Sequence, residues 1–138
     1  MVSITMKHEE AMSFSTELNG HKLTIDAAEE FGGTDKGPRP KPLILAALAG
    51  CTGMDVASML KKMKVEYNSF NIHVDANMTD QHPKIYDKFH IIYEFKGKDL
   101  PLAKIEKAVK LSQENYCGVS AMLSKSSELT HEVKLLDN

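Results

Sequence analysis

At 138 residues the chain has room for one domain with a real core, and its 42% hydrophobic and 26% charged content is that of an ordinary globular protein. A net charge of -2 gives no reason to expect nucleic acid or an anionic membrane as a partner, and no apolar run approaches the ~20 residues of a membrane span. Two cysteines are too few for a disulfide scaffold, and the first eight residues lack a signal peptide's apolar stretch, so a cytoplasmic protein with reduced thiols is expected.

Val2 to Lys7 alternates and reads as a possible first strand. Met12, Phe14, Thr16 and Leu18 alternate with Ser13, Ser15 and Glu17. Asn19-Gly20 then supplies a two-residue turn, since both positions tolerate positive φ. His21 to Asp26 is the partner strand, so residues 11–26 form a predicted hairpin. Residues 27–41 are a loop rich in breakers, with Gly32-Gly33 followed by Gly37-Pro38-Arg39-Pro40.

Pro42 suits a first helical turn, where its missing N–H costs nothing, and the spacing predicts a helix from Pro42 to Lys62. Between Leu43 and Leu60 it has almost no polar face and is expected to be buried nearly all round. One sheet can cover one side only. Ala46 and Gly50, like Ala49 and Gly53, fall four residues apart and would admit another helix closely. A second subunit or the chain's own later helices could supply it.

Phe70, Ile72, Val74, Ala76 and Met78 mark a half-buried strand, and a loop with His82-Pro83 follows. Phe89, Ile91, Tyr93 and Phe95 mark the return strand, ended by Gly97. Asp99 and Pro101 announce a helix whose buried face carries Leu102, Ile105, Val109 and Ser112. Tyr116-Cys117-Gly118 interrupts it and opens a short helix, Val119 to Ser124. Leu129, His131, Val133 and Leu135 form a last strand. The order is α+β, and the whole chain, 1–138, is read as a single domain.

Cys51 sits mid-helix among Ala47, Leu48, Gly50 and Met54, where a cysteine can be simply a small apolar residue. It is too far from the first turn for the helix dipole to ionise it, so a reactive Cys51 would need a nearby cation. Cys117 precedes a short helix, where unpaired N–H groups favour a thiolate, and by that criterion it is the more acidic thiol; it can equally be a packed junction residue. Asp55, one turn after Cys51, reads as a buried acid bonded to backbone or to a partner subunit rather than as an activator. Arg39 is the only arginine. It lies ~18 Å from Cys51 along the helix at 1.5 Å per residue, so it reaches a thiol only by loop folding or from a second subunit. The six histidines show no metal-ligand spacing, and no metal or other cofactor is expected.

The segment from Gly37-Pro38-Arg39-Pro40 through Gly50-Cys51-Thr52-Gly53-Met54-Asp55 resembles the central cysteine helix of the OsmC/Ohr-like family. Tyr116-Cys117-Gly118-Val119-Ser120 is similar to that family's second cysteine motif, and His82-Pro83 with the aromatic strand also fits. The resemblance implies an OsmC-like fold, with antiparallel sheets around a long buried central helix, in an intertwined homodimer. It implies a thiol-dependent peroxidase in which Cys51 attacks an organic hydroperoxide, Cys117 resolves the product, and an external dithiol, a lipoyl group in related peroxidases, restores both. The best-characterised peroxidases carry a glutamate where this chain has Lys41-Pro42, and an arginine where it has Met12-Ser13-Phe14. Arg39 then stands as the substitute cation. The rival reading is a dimeric binding or redox-sensing domain with structural cysteines.

Overall fold

A computed structural model describes residues 1–137. It divides into two compact units, Met1–Ile44 and Leu45–Asn138, with the division inside the long helix.

The first unit is a three-stranded antiparallel sheet of β1 (Lys7–His8), β2 (Phe14–Leu18) and β3 (His21–Ile25), in that spatial order. The β2–β3 hairpin is the expected one, closed by Asn19 and Gly20, both at positive φ. The N-terminal strand is shorter than its alternation suggests. Only Lys7 and His8 pair, opposite Ser15 and Phe14, and Val2 to Met6 lies outside any strand. Asp26 organises the loop beyond β3. Its buried carboxylate accepts hydrogen bonds from the backbone N–H groups of Ala27, Thr34 and Lys36 and from the Thr34 hydroxyl. Gly33 passes so near Ala27 that a Cβ there would lie 2.0 Å from the Ala27 carbonyl oxygen. That close approach is why this loop carries glycine.

The second unit holds most of α1 (Pro42–Lys62), then β4 (Ser69–Met78), β5 (Tyr86–Lys96), α2 (Leu102–Leu111), a π-helical turn (Ser112–Tyr116), α3 (Gly118–Leu123) and β6 (Glu128–Leu136). The bounds of α1 are those read from the sequence. Its core-facing stripe is Leu48, Thr52, Val56 and Leu60, a strict four-residue repeat. Phe89, Ile91, Tyr93 and Phe95 of β5 meet that stripe, with Ile105, Ala108 and Val109 of α2. Full burial of the leucine, isoleucine, valine and phenylalanine side chains here stabilises by about 1.5–3 kcal/mol each. At Gly53, α1 comes so close to β4 that a Cβ would lie 2.8 Å from Ile72 Cδ1.

Three expectations need correction. The second sheet is mixed, not antiparallel. β4 and β5 are antiparallel, but β5 and β6 pair in parallel, Lys88 opposite Glu128 and Lys96 opposite Leu136. The chain leaves β5 and returns through α2 and α3 before entering β6, the helical crossover that parallel pairing requires. Nor does this chain bury α1 all round. Ala46, Met54 and Ser58 are exposed, Met54 at 76%, because the helix meets its own unit along one stripe only. The expectation that no apolar run approaches the length of a membrane span also fails, since α1 is long and apolar enough to cross one, although its stripe of Leu48, Thr52, Val56 and Leu60 is buried in the protein core.

Candidate functional site

Cys51 and Cys117, both in the second unit, are near enough to interact. Cys51, next to the buried stripe on α1, is half-buried; Cys117 is only 3% exposed; both are free thiols. Cys117 caps α3, accepting a hydrogen bond at Sγ from the Ser120 N–H, 3.4 Å away. The start of α3 favours a thiolate at Cys117, but burial works against it. Burial pushes the Cys117 thiol up, a hydrogen-bond and charge interaction with Cys51 pushes it further, and donors from the Ser120 side chain and backbone only partly offset the rise. The Ser120 hydroxyl is itself buried and has no hydrogen-bond partner at ordinary geometry; its effect on Cys117 marks it as a neighbour of the sulfur.

Behind the thiols lies a buried hydroxyl network invisible to motif reading. Thr52 Oγ1 is 2.6 Å from Tyr93 Oη and 2.7 Å from Ser112 Oγ. Ser112 Oγ also lies 2.9 Å from Asp55 Oδ2, where it donates. Gln113 Nε2 donates to Tyr93 Oη at 2.8 Å and to Thr52 Oγ1 at 3.2 Å. Thr52, Tyr93 and Ser112 are fully buried. Burial raises the Tyr93 phenol's pKa, so it stays a neutral donor at neutral pH. Asp55, expected to be a buried acid bonded to backbone or to a partner subunit, is half-buried and accepts from the Ser112 side chain. Three polar groups in apolar patterns were the available signal: Thr52 in the long helix, Ser112 on the buried face of α2, and Tyr93 among phenylalanines and isoleucines. Buried polar atoms must find partners, and here they find one another.

The backbone turns sharply at this network. Ser112 to Tyr116 form a π-helical turn, and the Cys117 N–H donates to the Ser112 carbonyl at 2.7 Å. π turns are rare and favour functional sites. The turn ends α2 and brings Cys117 to the start of α3.

Arg39 lies in the first unit, where Nη1 donates to Asp35 Oδ1 at 2.7 Å and to the Gly37 carbonyl at 3.0 Å. Two of the three residues singled out from the sequence are therefore together, and the third is held by partners of its own loop. Among the described residues no cluster of three His, Cys, Asp or Glu side chains could hold a metal ion.

Comparison with known proteins bears on this arrangement. Residues 33–132 match the family model for OsmC-like protein. Protein YhfA of Escherichia coli K12 is 29% identical over 132 residues, covering 95% of this chain and 96% of that protein. The crystal structure of a hypothetical protein from Aquifex aeolicus VF5 superposes with a TM-score of 0.85 at 29% identity, over 99% of this chain and 96% of that one. The organic hydroperoxide resistance protein OhrB of Bacillus subtilis shares the fold, with a TM-score of 0.66 at 19% identity over 96% of each chain.

Proposed function

The chain belongs to the OsmC-like protein family, and from that premise we propose that it is a thiol-dependent peroxidase for organic hydroperoxides. The observation that carries the reading is the unequal thiol pair: Cys51 reachable from outside, Cys117 buried against it. Cys51 thiolate attacks the outer peroxide oxygen. The O–O bond breaks, the alkoxide leaves and takes up a proton as alcohol, and Cys51 becomes a sulfenic acid. Cys117 then attacks the Cys51 sulfur, the S–O bond breaks, and hydroxide leaves with the Cys117 proton as water. An external dithiol, a lipoyl group by analogy with related peroxidases, reduces the disulfide and is itself oxidised.

The raised pKa of Cys117 suits the second role. Burial keeps Cys117 protonated and away from peroxide, and when it attacks the sulfenic acid beside it that proton leaves with the hydroxide. Cys51→Ser is expected to abolish hydroperoxide consumption. Cys117→Ser is expected to allow one oxidation of Cys51, trapped as sulfenic acid by dimedone, followed by overoxidation. If Cys117→Ser blocks the first oxidation and Cys51→Ser does not, the roles are reversed.

A second reading, a redox-sensing domain that oxidises once without turnover, is favoured by Lys41-Pro42 and Met12-Ser13-Phe14, which lack the peroxidases' glutamate and arginine. Sustained consumption of hydroperoxide with excess dithiol separates the two. A single equivalent consumed supports the sensor.

A further inference from the structure

Ser112 touches the frames of both cysteines. Its hydroxyl bridges Thr52, the neighbour of Cys51, and Asp55, one turn further along α1. Its carbonyl receives the N–H of Cys117 itself. One fully buried residue therefore ties the helix bearing the first thiol to the backbone bearing the second. Gln113, the next residue, adds a second tie to Thr52 and to Tyr93. π turns are rare, and here Ser112 and Gln113 at the start of one bond across the fold to Thr52, Asp55 and Tyr93.

We propose that Ser112 is the positioning residue that aims Cys117 at Cys51, so that the network sets the ease of disulfide closure. The inference rests on the thiol-pair reading above and adds a residue that no sequence motif marks. Ring closure between two groups is favoured by their effective concentration, which depends on holding both in register. Without the Ser112 hydroxyl, the π turn loses its bonds to Thr52 and Asp55, and Cys117 spends less time opposite Cys51. A Ser112 of structural value only would lower stability and leave the dithiol–disulfide balance unchanged.

Equilibration of the full-length protein in glutathione buffers of graded ratio tests this, since two glutathiones and the protein disulfide exchange with one glutathione disulfide and the dithiol. The disulfide fraction is read by mass after acid quench and thiol alkylation. Ser112→Ala is expected to lower the disulfide's equilibrium constant about tenfold, equivalent to about 30 mV for this two-electron couple. Ser112→Thr, which keeps the hydroxyl, should stay with the wild type. Thr52→Val removes the other end of the tie at similar shape and should move the balance the same way, which decides the matter if Ser112→Ala does not fold. Ile105→Val, a core change outside the network, controls for stability alone. Constants for Ser112→Ala and Thr52→Val within about twofold of wild type, or shifts no larger than that of an equally destabilised Ile105→Val, would overturn the proposal, as would a wild-type pair that never closes. Because no hydroperoxide enters this measurement, it stands apart from the peroxidase reading. A wild-type pair that closes with glutathione but ignores hydroperoxide would end that reading while leaving the Ser112 comparison decisive.

Discussion

Arg39 separates the two readings at the scale of single residues. A thiol in apolar surroundings needs a cation to become a good nucleophile, and a guanidinium keeps its charge when desolvated. In this chain Arg39 is engaged by Asp35 and by the Gly37 carbonyl, an exposed ion pair of the kind that contributes little to stability. Its recruitment by Cys51, which we propose, would cost little of that pair's energy. Arg39→Met is expected to slow iodoacetamide alkylation of Cys51 at neutral pH about tenfold, or about 1.4 kcal/mol at the barrier. Superimposable rate profiles for the wild type and the variant would end the catalytic role of Arg39. The two cysteines were legible because their flanking motifs are distinctive. Thr52, Tyr93, Ser112 and Gln113 were not, because hydroxyl and amide side chains acquire meaning only when the fold brings together positions 20 to 61 apart in the chain.

Among the elements, periodicity located most segments and left their direction open. Pro42 at one end and Lys61-Lys62 at the other bound α1 correctly. Alternation found β6 but carries no sign for parallel or antiparallel pairing, so the mixed sheet emerged only with the crossover in place. The π turn had no signature, since its wide hydrogen bond depends on tertiary contacts. In the loop after β3 the breakers are plain in the sequence, whereas its organising element, Asp26, is not. Hydrogen bonds, that from the Lys36 N–H first, lower the Asp26 pKa from 3.8 to about 2. The folded value lies below the unfolded one. The carboxylate's contribution to stability is therefore present in full above the unfolded pKa and is lost as pH falls through about 2. A carboxyl carbon titration by NMR should show an Asp26 midpoint near 2. A midpoint near that of an ordinary aspartate would mean that the loop is not anchored there.

For the whole molecule, α1 has a second side that its own unit leaves uncovered. Ala46, Gly50, Met54 and Ser58 lie four residues apart along it; Met54 is 76% exposed, and a Cβ at Gly50 would meet nothing within 4 Å. Small residues at that spacing admit a second helix at close range. A second copy of the chain packed there, the homodimer that the family resemblance implies, is our proposal. Sedimentation should give twice the 15.3 kDa chain mass, and Gly50→Leu should shift it toward one chain without unfolding α1, since leucine favours helix over glycine. A wild-type monomer in dilute solution would refute the dimer.

The central claim is that Cys51 and Cys117 work as one redox pair. Intact mass after one equivalent of an alkyl hydroperoxide tests it most directly, because closure of the pair is expected to remove two hydrogens and add no oxygen, reversibly on addition of a dithiol. An unchanged mass, or a retained oxygen with both cysteines present, would contradict the account.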